Sequence, residues 1–145
     1  MRRVLGFRGK VVPGRRVGRR LGFPTANLAV RAPMRLPAGV FVVFARGGPL
    51  RGPRLGVLNV GTRPTFEGTA ARHVEVHLPA WRGNLYGRVL EIRLIRKIRS
   101  ERKFAGLGQL KAQIRRDVRD ALKGPGPEGP KVPGAGAAPR GIIRP

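Results

Sequence analysis

The 145-residue sequence contains no cysteine, which excludes both a disulfide framework and a thiolate metal site. A chain without cysteine fits a reducing compartment, and our default expectation is the cytoplasm. No apolar run approaches the roughly 18 residues that a membrane span needs, and the arginine-rich start lacks the continuous apolar segment of a signal peptide. We therefore expect a soluble protein that does not bind a membrane.

Acidic residues are also scarce, because only seven Asp and Glu accompany 31 Lys and Arg, which gives a net charge of +24. Such a charge favours polyanionic partners, among them nucleotides and nucleic acid. The arginines are spread along the chain, and only 6% of the residues are aromatic, so no row of base-stacking platforms is present. Nucleic acid is expected as a partner only through non-specific charge, and few carboxylates remain as candidates for a catalytic base.

Alternation of apolar and polar residues predicts four short strands. These strands cover residues 39–45, 55–60, 73–78 and 87–95, and Gly/Pro turns are predicted at 47–53 and 63–68. Short strands separated by turn signals indicate an antiparallel barrel.

A helical period begins at Leu107 and ends near residue 122. The predicted apolar face consists of Leu107, Leu110, Ile114, Val118 and Ala121/Leu122. Lys111, Arg115, Arg116 and Arg119 lie largely outside this face. We expect the helix to pack across the barrel.

One domain is predicted over residues 1–123, followed by a tail at 124–145. The length and the 41% content of hydrophobic residues suit a single core. The tail holds six Gly and six Pro in 22 residues, and its few apolar side chains cannot offset the entropy of ordering. We expect the tail to be disordered.

The segment from Gly18 to Leu28 reads GRRLGFPTANL and suggests a phosphate and metal site. Glycine lets the backbone approach a polyanion closely, and Pro24 holds the following hydroxyl in place within a short turn. The Thr25 hydroxyl and the Asn27 carbonyl are hard oxygen ligands of the kind that Mg²⁺ takes. A Gly/Pro turn with only local hydrogen bonds is an equally good interpretation from these residues alone.

Glu75 lies in the predicted strand HVEVHL, on the face opposite Val74 and Val76. From the pattern alone, a solvated surface position is the favoured interpretation for this carboxylate. A transition-metal site made by His73, Glu75 and His77 is a further hypothesis. It is disfavoured because two imidazoles four residues apart on a strand are separated by about 13 Å.

The chain resembles the riboflavin kinase family, either as a monofunctional enzyme or as the kinase domain of a bifunctional bacterial FAD synthetase. The resemblance begins with GKVVPG at residues 9–14 and GRRLGFPTANL at 18–28. It continues in order with LPAGVF, GVLNVGTRPTF, VEVHL, LYG, RSERKF and LKAQI, at 36–41, 56–66, 74–78, 85–87, 99–104 and 110–114. The similar blocks span about residues 6–122.

The family resemblance implies a small six-stranded antiparallel Greek-key barrel with a C-terminal helix. It also implies transfer of the ATP γ-phosphoryl group to the 5′-hydroxyl of riboflavin, which gives FMN and ADP. Mg²⁺, or Zn²⁺ or Mn²⁺ in its place, is the implied cofactor. No GxxxxGK[ST] motif and no HRD or DFG set is present, so the large kinase classes have no support. We expect a monomer.

Site residues follow from the same resemblance. Glu75 is implied as the catalytic base, and Thr25 and Asn27 as ligands of the metal and of nucleotide phosphate. The further nucleotide contacts are Gly14, Arg19, Leu78 through its backbone and as an adenine wall, and Tyr86 through its ring. The flavin side comprises Arg99, Arg102 and Phe104. A basic loop that caps the helix is the alternative for the two arginines, and a hydrophobic staple is the alternative for Phe104.

Two other functions remain open at the level of sequence. The first is a basic nucleic-acid-binding β-barrel without catalysis, for which binding should weaken steeply with salt. The second is a flavin-binding protein that has lost turnover, and intact Thr25, Asn27 and Glu75 argue against it. Because Met1 lies only a few residues before the first motif, we also expect no nucleotidyltransferase domain and no FAD synthesis.

Overall fold

The computed structural model of the protein describes residues 6–13, 22–30, 36–64 and 70–123. Within them lie the strands β1 (Gly6–Val12), β2 (Thr25–Ala29), β3 (Gly39–Arg46), β4 (Arg54–Pro64), β5 (Ala70–His77) and β6 (Val89–Arg99), followed by helix α1 (Leu107–Leu122). No helix in this part of the chain is both long enough and apolar enough to cross a membrane.

The strands form a closed barrel in the order β1-β2-β5-β4-β3-β6, and every neighbouring pair is antiparallel. Closure leaves none of these strands with an unpaired edge. The predicted fold class, a six-stranded antiparallel barrel with a C-terminal helix, is therefore confirmed.

Several predicted boundaries were wrong. Thr25 and Asn27 lie in strand β2 rather than in a turn, because residues 25–29 form ladders with both β1 and β5. Strand β4 continues to Pro64, so residues 63 and 64 belong to a strand and not to the predicted turn. The rest of that predicted turn lies outside the described residues. Strands β1 and β2 were not predicted from alternation, since their apolar content is low.

Two apolar clusters hold the barrel and helix together. The first fills the barrel interior, where Leu58, Leu90 and Ile92 have no exposed surface. The second lies on the outer face of β3, β4 and β6, where Val42, Val57 and Ile95 pack with Ala121 and Val118 of α1. The predicted packing of the helix across the barrel is confirmed, and it leaves a recess between the two elements.

The predicted apolar face of α1 was partly wrong. Leu107 and Leu122 are 61% and 60% exposed, because they are the first and last residues of the helix and the residues that contact the barrel lie between them. Polar Gln113 and Asp117 are buried instead. The division at residue 123 stays a prediction, because the tail lies outside the described residues.

Candidate active site

A pocket lies between the outer face of the barrel and helix α1. One end is polar and is lined by Thr25, Glu75 and His77 from β2 and β5. The other end is lined by Arg99 at the end of β6, by Arg102 and Phe104 in the loop after it, and by Leu110 and Ile114 of the helix. The lining also includes Glu101 and Asp117. The pocket therefore combines charged and polar side chains with apolar and aromatic ones, which is typical of a small-molecule site.

Strand register places the polar end of the pocket. Asn27 of β2 lies opposite Glu75 of β5, and Asn59 of β4 lies opposite the same Glu75 on the other side. Directly opposed residues point to the same face of a sheet. Because Val74 and Val76 face the core, this row faces outward, toward the pocket.

The Glu75 carboxylate is held at both oxygens. Thr25 Oγ1 donates a hydrogen bond of 2.8 Å to Oε1, and His73 Nε2 lies 2.8 Å from Oε2. The side chain is 23% exposed, so the carboxylate is oriented yet open to the pocket. An oriented carboxylate with accessible lone pairs suits a general base.

Asn27 is the unusual member of the row. It is 8% exposed, and within the described residues its Oδ1 has no hydrogen-bond partner. A buried amide oxygen without a partner costs free energy. Its presence at this position therefore points to a ligand that binds it. The neighbouring Thr25 hydroxyl uses its hydrogen for Glu75 and leaves its lone pairs available. These two oxygens fit a hard cation such as Mg²⁺.

His77 is held by structural contacts. Its Nδ1 donates to the Pro24 carbonyl at 2.7 Å, and its ring packs edge-on against Phe23. Burial lowers the pKa of His77 below 6.5, and the hydrogen bond to Pro24 opposes this effect only in part. No group of three metal-ligating side chains occurs among the residues that the structure describes. The transition-metal hypothesis for His73, Glu75 and His77 was therefore wrong.

The guanidinium of Arg99 is occupied by Asp117. Arg99 Nε and Nη2 donate to the two carboxylate oxygens at 3.0 and 2.8 Å, and Asp117 is 3% exposed. A buried bidentate pair of this kind fixes the end of β6 to the helix. Arg99 lines the pocket but has little capacity left for a new anion.

A second connection runs from the helix to the loop through Gln113. Its Nε2 donates to Asp117 Oδ1 at 2.9 Å, and its Oε1 accepts from Arg102 Nη1 at 3.1 Å and from Arg116 Nη1 at 3.2 Å. The guanidinium carbons of Arg99 and Arg102 lie 5.7 and 5.3 Å from the centroid of the Phe104 ring, within cation–π range.

The predicted site residues are distributed unevenly. Thr25, Glu75, Arg99, Arg102 and Phe104 all line the pocket, and Asn27 is the cross-strand neighbour of Glu75. Gly14 and Arg19 lie outside the described residues, so their roles stay predictions.

Two predicted nucleotide contacts lie elsewhere. The Leu78 side chain is buried in the barrel interior, because it continues the inward alternation of Val74 and Val76, so the adenine-wall role was wrong and only its backbone is available. Tyr86 is 46% exposed and does not line the pocket.

Sequence reasoning did not place Asn59, Gln113 and Asp117 in this site, and it named His77 only in the metal hypothesis. Asn59 lies on the same outward face as Glu75. The alternation in the two predicted strands would have indicated this if their pairing had been known. Gln113 and Asp117 are four residues apart on the helix, and their polarity signalled a surface. Only the position of Arg99 reveals why they are buried.

Comparison with known proteins gives a consistent result. The family model of riboflavin kinase, or flavokinase, matches residues 1–124. The chain is 46% identical over 109 residues to the bifunctional riboflavin kinase/FMN adenylyltransferase of Escherichia coli K12, and the match covers 75% of this chain and 34% of that protein. The corresponding protein of Pseudomonas fluorescens is 41% identical over 124 residues, with 82% and 39% coverage.

The RNA-binding riboflavin kinase RibR of Bacillus subtilis is 37% identical over 115 residues, which cover 79% of this chain and 49% of that protein. The chain thus spans about a third to a half of the length of these relatives.

Solved structures agree on the fold. A structure described as a macrolide-efflux protein from Streptococcus pneumoniae has a TM-score of 0.75 at 30% identity, with 82% of this chain and 38% of that chain covered. The riboflavin kinase of Trypanosoma brucei has a TM-score of 0.60 at 24% identity, with 85% and 81% covered. At that identity the second likeness concerns the fold alone.

Proposed function

This chain belongs to the riboflavin kinase family, and on that premise we propose that it transfers the γ-phosphoryl group of ATP to the 5′-hydroxyl of riboflavin, with FMN and ADP as products. One observation carries the proposal. Glu75, held by Thr25, opens into a pocket that Phe104, Leu110 and Ile114 also line. A base and an apolar ring site in one pocket match the two ends of riboflavin, its hydroxyl chain and its isoalloxazine.

Glu75 acts as the general base in this mechanism. The attacking alcohol acidifies only as its bond to phosphorus forms, so a carboxylate within hydrogen-bond reach accepts the proton in the transition state. The hydrogen bond from Thr25 to Oε1 fixes the carboxylate in the pocket, and His73 holds the other oxygen. Restricting the carboxylate to one orientation lowers the entropy cost of reaching the transition state.

Thr25 and Asn27 are the residues that would hold Mg²⁺. Their oxygens lie on the outward face of β2, and the partnerless Asn27 Oδ1 supports this assignment. When bound, the cation supplies charge neutralisation at the transferred phosphoryl group. The backbone at Gly14 and the Arg19 guanidinium are proposed to contact the nucleotide phosphates, with the Leu78 backbone and the Tyr86 ring as outer contacts.

The flavin ring is proposed to lie against the apolar wall. Phe104 offers an aromatic surface, and Leu110 and Ile114 extend it along the helix. Burial of apolar area at about 25 cal/mol per Å² supplies the main part of the affinity for a flat aromatic ring. Arg102 is the cation for the polar edge of the ring or the new phosphate, because Arg99 is already paired with Asp117.

The remaining proposals concern the oligomeric state of the protein and its compartment. The monomeric state stays a prediction. The absence of cysteine supports a reducing compartment such as the cytoplasm.

The test is conversion of riboflavin to FMN by the purified chain with ATP and Mg²⁺, followed by chromatography with fluorescence detection. FMN that appears only when chain, ATP and metal are all present is the expected result. A folded sample that forms no FMN with any of several metals and triphosphates would contradict the proposal.

A second candidate function, nucleic-acid binding, has one specific observation in its favour. Lys111, Arg115, Arg119 and Lys123 repeat every four residues along α1, and the last three are exposed. Like charges at this spacing weaken an isolated helix, so the stripe does not serve helix stability. The relative RibR is itself described as RNA-binding.

Salt dependence tests the second candidate. Fluorescence anisotropy of a labelled RNA duplex should show a steep fall in affinity with salt, and Arg115→Gln with Arg119→Gln should lower the slope of log K against log salt by about two. The pair Arg82→Gln and Arg88→Gln, exposed positions on the barrel, is the matched control. If both pairs of substitutions lowered the slope equally, the RNA affinity would come from the overall charge of the protein and not from a binding face on α1.

A further inference from the structure

We propose that Gln113 is a positioning residue for the flavin, which acts through Arg102 and Phe104 without contacting the substrate. The inference rests on the proposed function and gives a role to a residue of the block LKAQI that the family resemblance left without one. Gln113 does not line the pocket; it lies behind the wall, 8% exposed, and joins the helix to the pocket loop.

The loop that follows Arg99 brings Arg102 and Phe104 to the pocket. Residues 100–106 form neither helix nor strand, and Glu101, Arg102 and Lys103 are exposed. Arg99 is anchored at the start of the loop by Asp117. Three residues later, the described hydrogen bond that holds Arg102 is the one to Gln113 Oε1. Gln113 therefore anchors the loop at Arg102.

Burial makes Gln113 a rigid anchor. Its amide donates to Asp117 Oδ1 at 2.9 Å and accepts from Arg102 at 3.1 Å, so both ends of the amide are in use. Because Asp117 is itself held by Arg99, the amide cannot turn over without breaking a buried hydrogen bond. The acceptor oxygen consequently points to the loop.

The anchored Arg102 in turn fixes the Phe104 ring. Its guanidinium carbon lies 5.3 Å from the ring centroid, and Phe104 lines the pocket beside Leu110 and Ile114. An arginine side chain that is free in solution must lose rotamer freedom when a ligand binds. Gln113 removes that cost before the flavin arrives.

Arg116 provides an internal control. It donates to the same Gln113 oxygen at 3.2 Å, but it neither lines the pocket nor lies against Phe104. If Gln113 serves the flavin site, loss of its hydrogen bond with Arg102 should raise the flavin Kd, and loss of its hydrogen bond with Arg116 should not.

The experiment measures flavin affinity by quenching of riboflavin and FMN fluorescence in a double-mutant cycle. Gln113→Met keeps the length of the side chain and removes both hydrogen-bonding groups, and it should raise the flavin Kd about three- to tenfold. The affinity for Mg²⁺·ATP should not change. In an Arg102→Ala background, Gln113→Met should have no further effect on the flavin Kd, because the two residues act in series.

Controls separate positioning from general loosening of the fold. Arg116→Ala and Gln109→Met, an exposed glutamine on the same helix, should leave the flavin Kd within twofold of the native value. Gln113→Asn, which keeps an amide but shortens its reach to Arg102, tests the same bond if Gln113→Met folds poorly, and it should also raise the flavin Kd. Additive effects of Gln113→Met and Arg102→Ala would overturn the inference. Flavin binding that is absent in the native chain would instead overturn the proposed function.

Discussion

The two ends of the pocket are built by different means. At the polar end, Thr25, Asn27 and Glu75 stand on paired strands, and the ladder between β2 and β5 sets their spacing. At the proposed flavin end, the buried pair of Arg99 and Asp117 and the hydrogen bond from Arg102 to Gln113 hold the loop through side chains. The proposed reacting groups thus stand on the rigid sheet, while the proposed flavin site depends on a network of side chains.

Glu75→Gln should produce the largest effect, because it removes the base and keeps the shape of the polar end. Turnover of riboflavin should fall by about 10²- to 10⁴-fold, while the flavin Kd and the thermal midpoint stay close to the native values. Steady-state kinetics with chromatographic detection of FMN checks this.

Glu91→Gln is the control for Glu75→Gln, since Glu91 is a surface carboxylate paired with Arg8 at 3.5 Å. Its turnover should be native. Equal losses of turnover in the two variants would contradict the role of Glu75 as the catalytic base at the polar end of the pocket.

Asp117→Asn should produce the next largest effect, at the flavin end. It leaves the Arg99 charge without its buried counterion, which costs about 3–5 kcal/mol of unfolding free energy. Urea unfolding followed by circular dichroism measures the change.

Asp120→Asn is the matched change for Asp117→Asn on the same helix, because Asp120 pairs with Arg96 at 2.6 Å but is 39% exposed. Its cost should stay within about 1 kcal/mol. Similar costs at both positions would mean that burial does not distinguish the two pairs.

Asn27→Val should raise stability and remove function together. Loss of a buried acceptor without a partner should stabilise the protein by about 1 kcal/mol, and the rise in thermal midpoint caused by Mg²⁺·ADP should disappear. Differential scanning fluorimetry with and without the ligand reads both quantities.

Asn59→Val is the control for Asn27→Val. It tests whether the gain in stability requires a buried asparagine, and whether the loss of the ligand-induced thermal shift requires an asparagine on the β2 side of Glu75. Asn59 is exposed and lies on the other side of Glu75, so no gain in stability is expected and the ligand shift should remain. A ligand shift that survives in Asn27→Val would remove Asn27 from the metal site.

His77 should produce the smallest effect, and a pH-dependent one. Burial lowers the folded-state pKa of His77 below 6.5, so the unfolded chain binds the proton more readily. The stability linked to His77 is complete above pH 6.5 and is lost as the pH falls through the lowered folded-state pKa.

His77→Gln keeps a donor for the Pro24 carbonyl and cannot titrate. Its unfolding free energy should therefore fall less than that of the native chain between pH 7.5 and pH 5.5, as measured by urea unfolding at each pH. A steeper fall in the variant would mean that the pKa of His77 is raised by folding.

Much of the fold was predictable because it is written in local patterns. Period-2 alternation located β3 to β6, and a period near 3.6 located α1, since burial of one face imposes these periods. Strands β1 and β2 escaped because glycine, lysine and threonine obscure the alternation in short segments. The helix face was misjudged where a buried polar pair takes the place of apolar side chains.

The candidate site divides in the same way. Thr25, Asn27, Glu75, Arg102 and Phe104 were named from motifs because their chemistry is local to short segments. Gln113 and Asp117 were not, because their role depends on partners 11 and 18 residues away.

The sequence by itself determined the barrel, the helix and the candidate residues of the short motifs, because periodicity and residue type act over a few positions of the chain. The tertiary structure alone decided that Asn27 Oδ1 is buried without a partner, that Arg99 is committed to Asp117, and that Gln113 anchors the pocket loop. Burial and pairing depend on which distant segments the closed barrel brings together, and no local pattern encodes that juxtaposition.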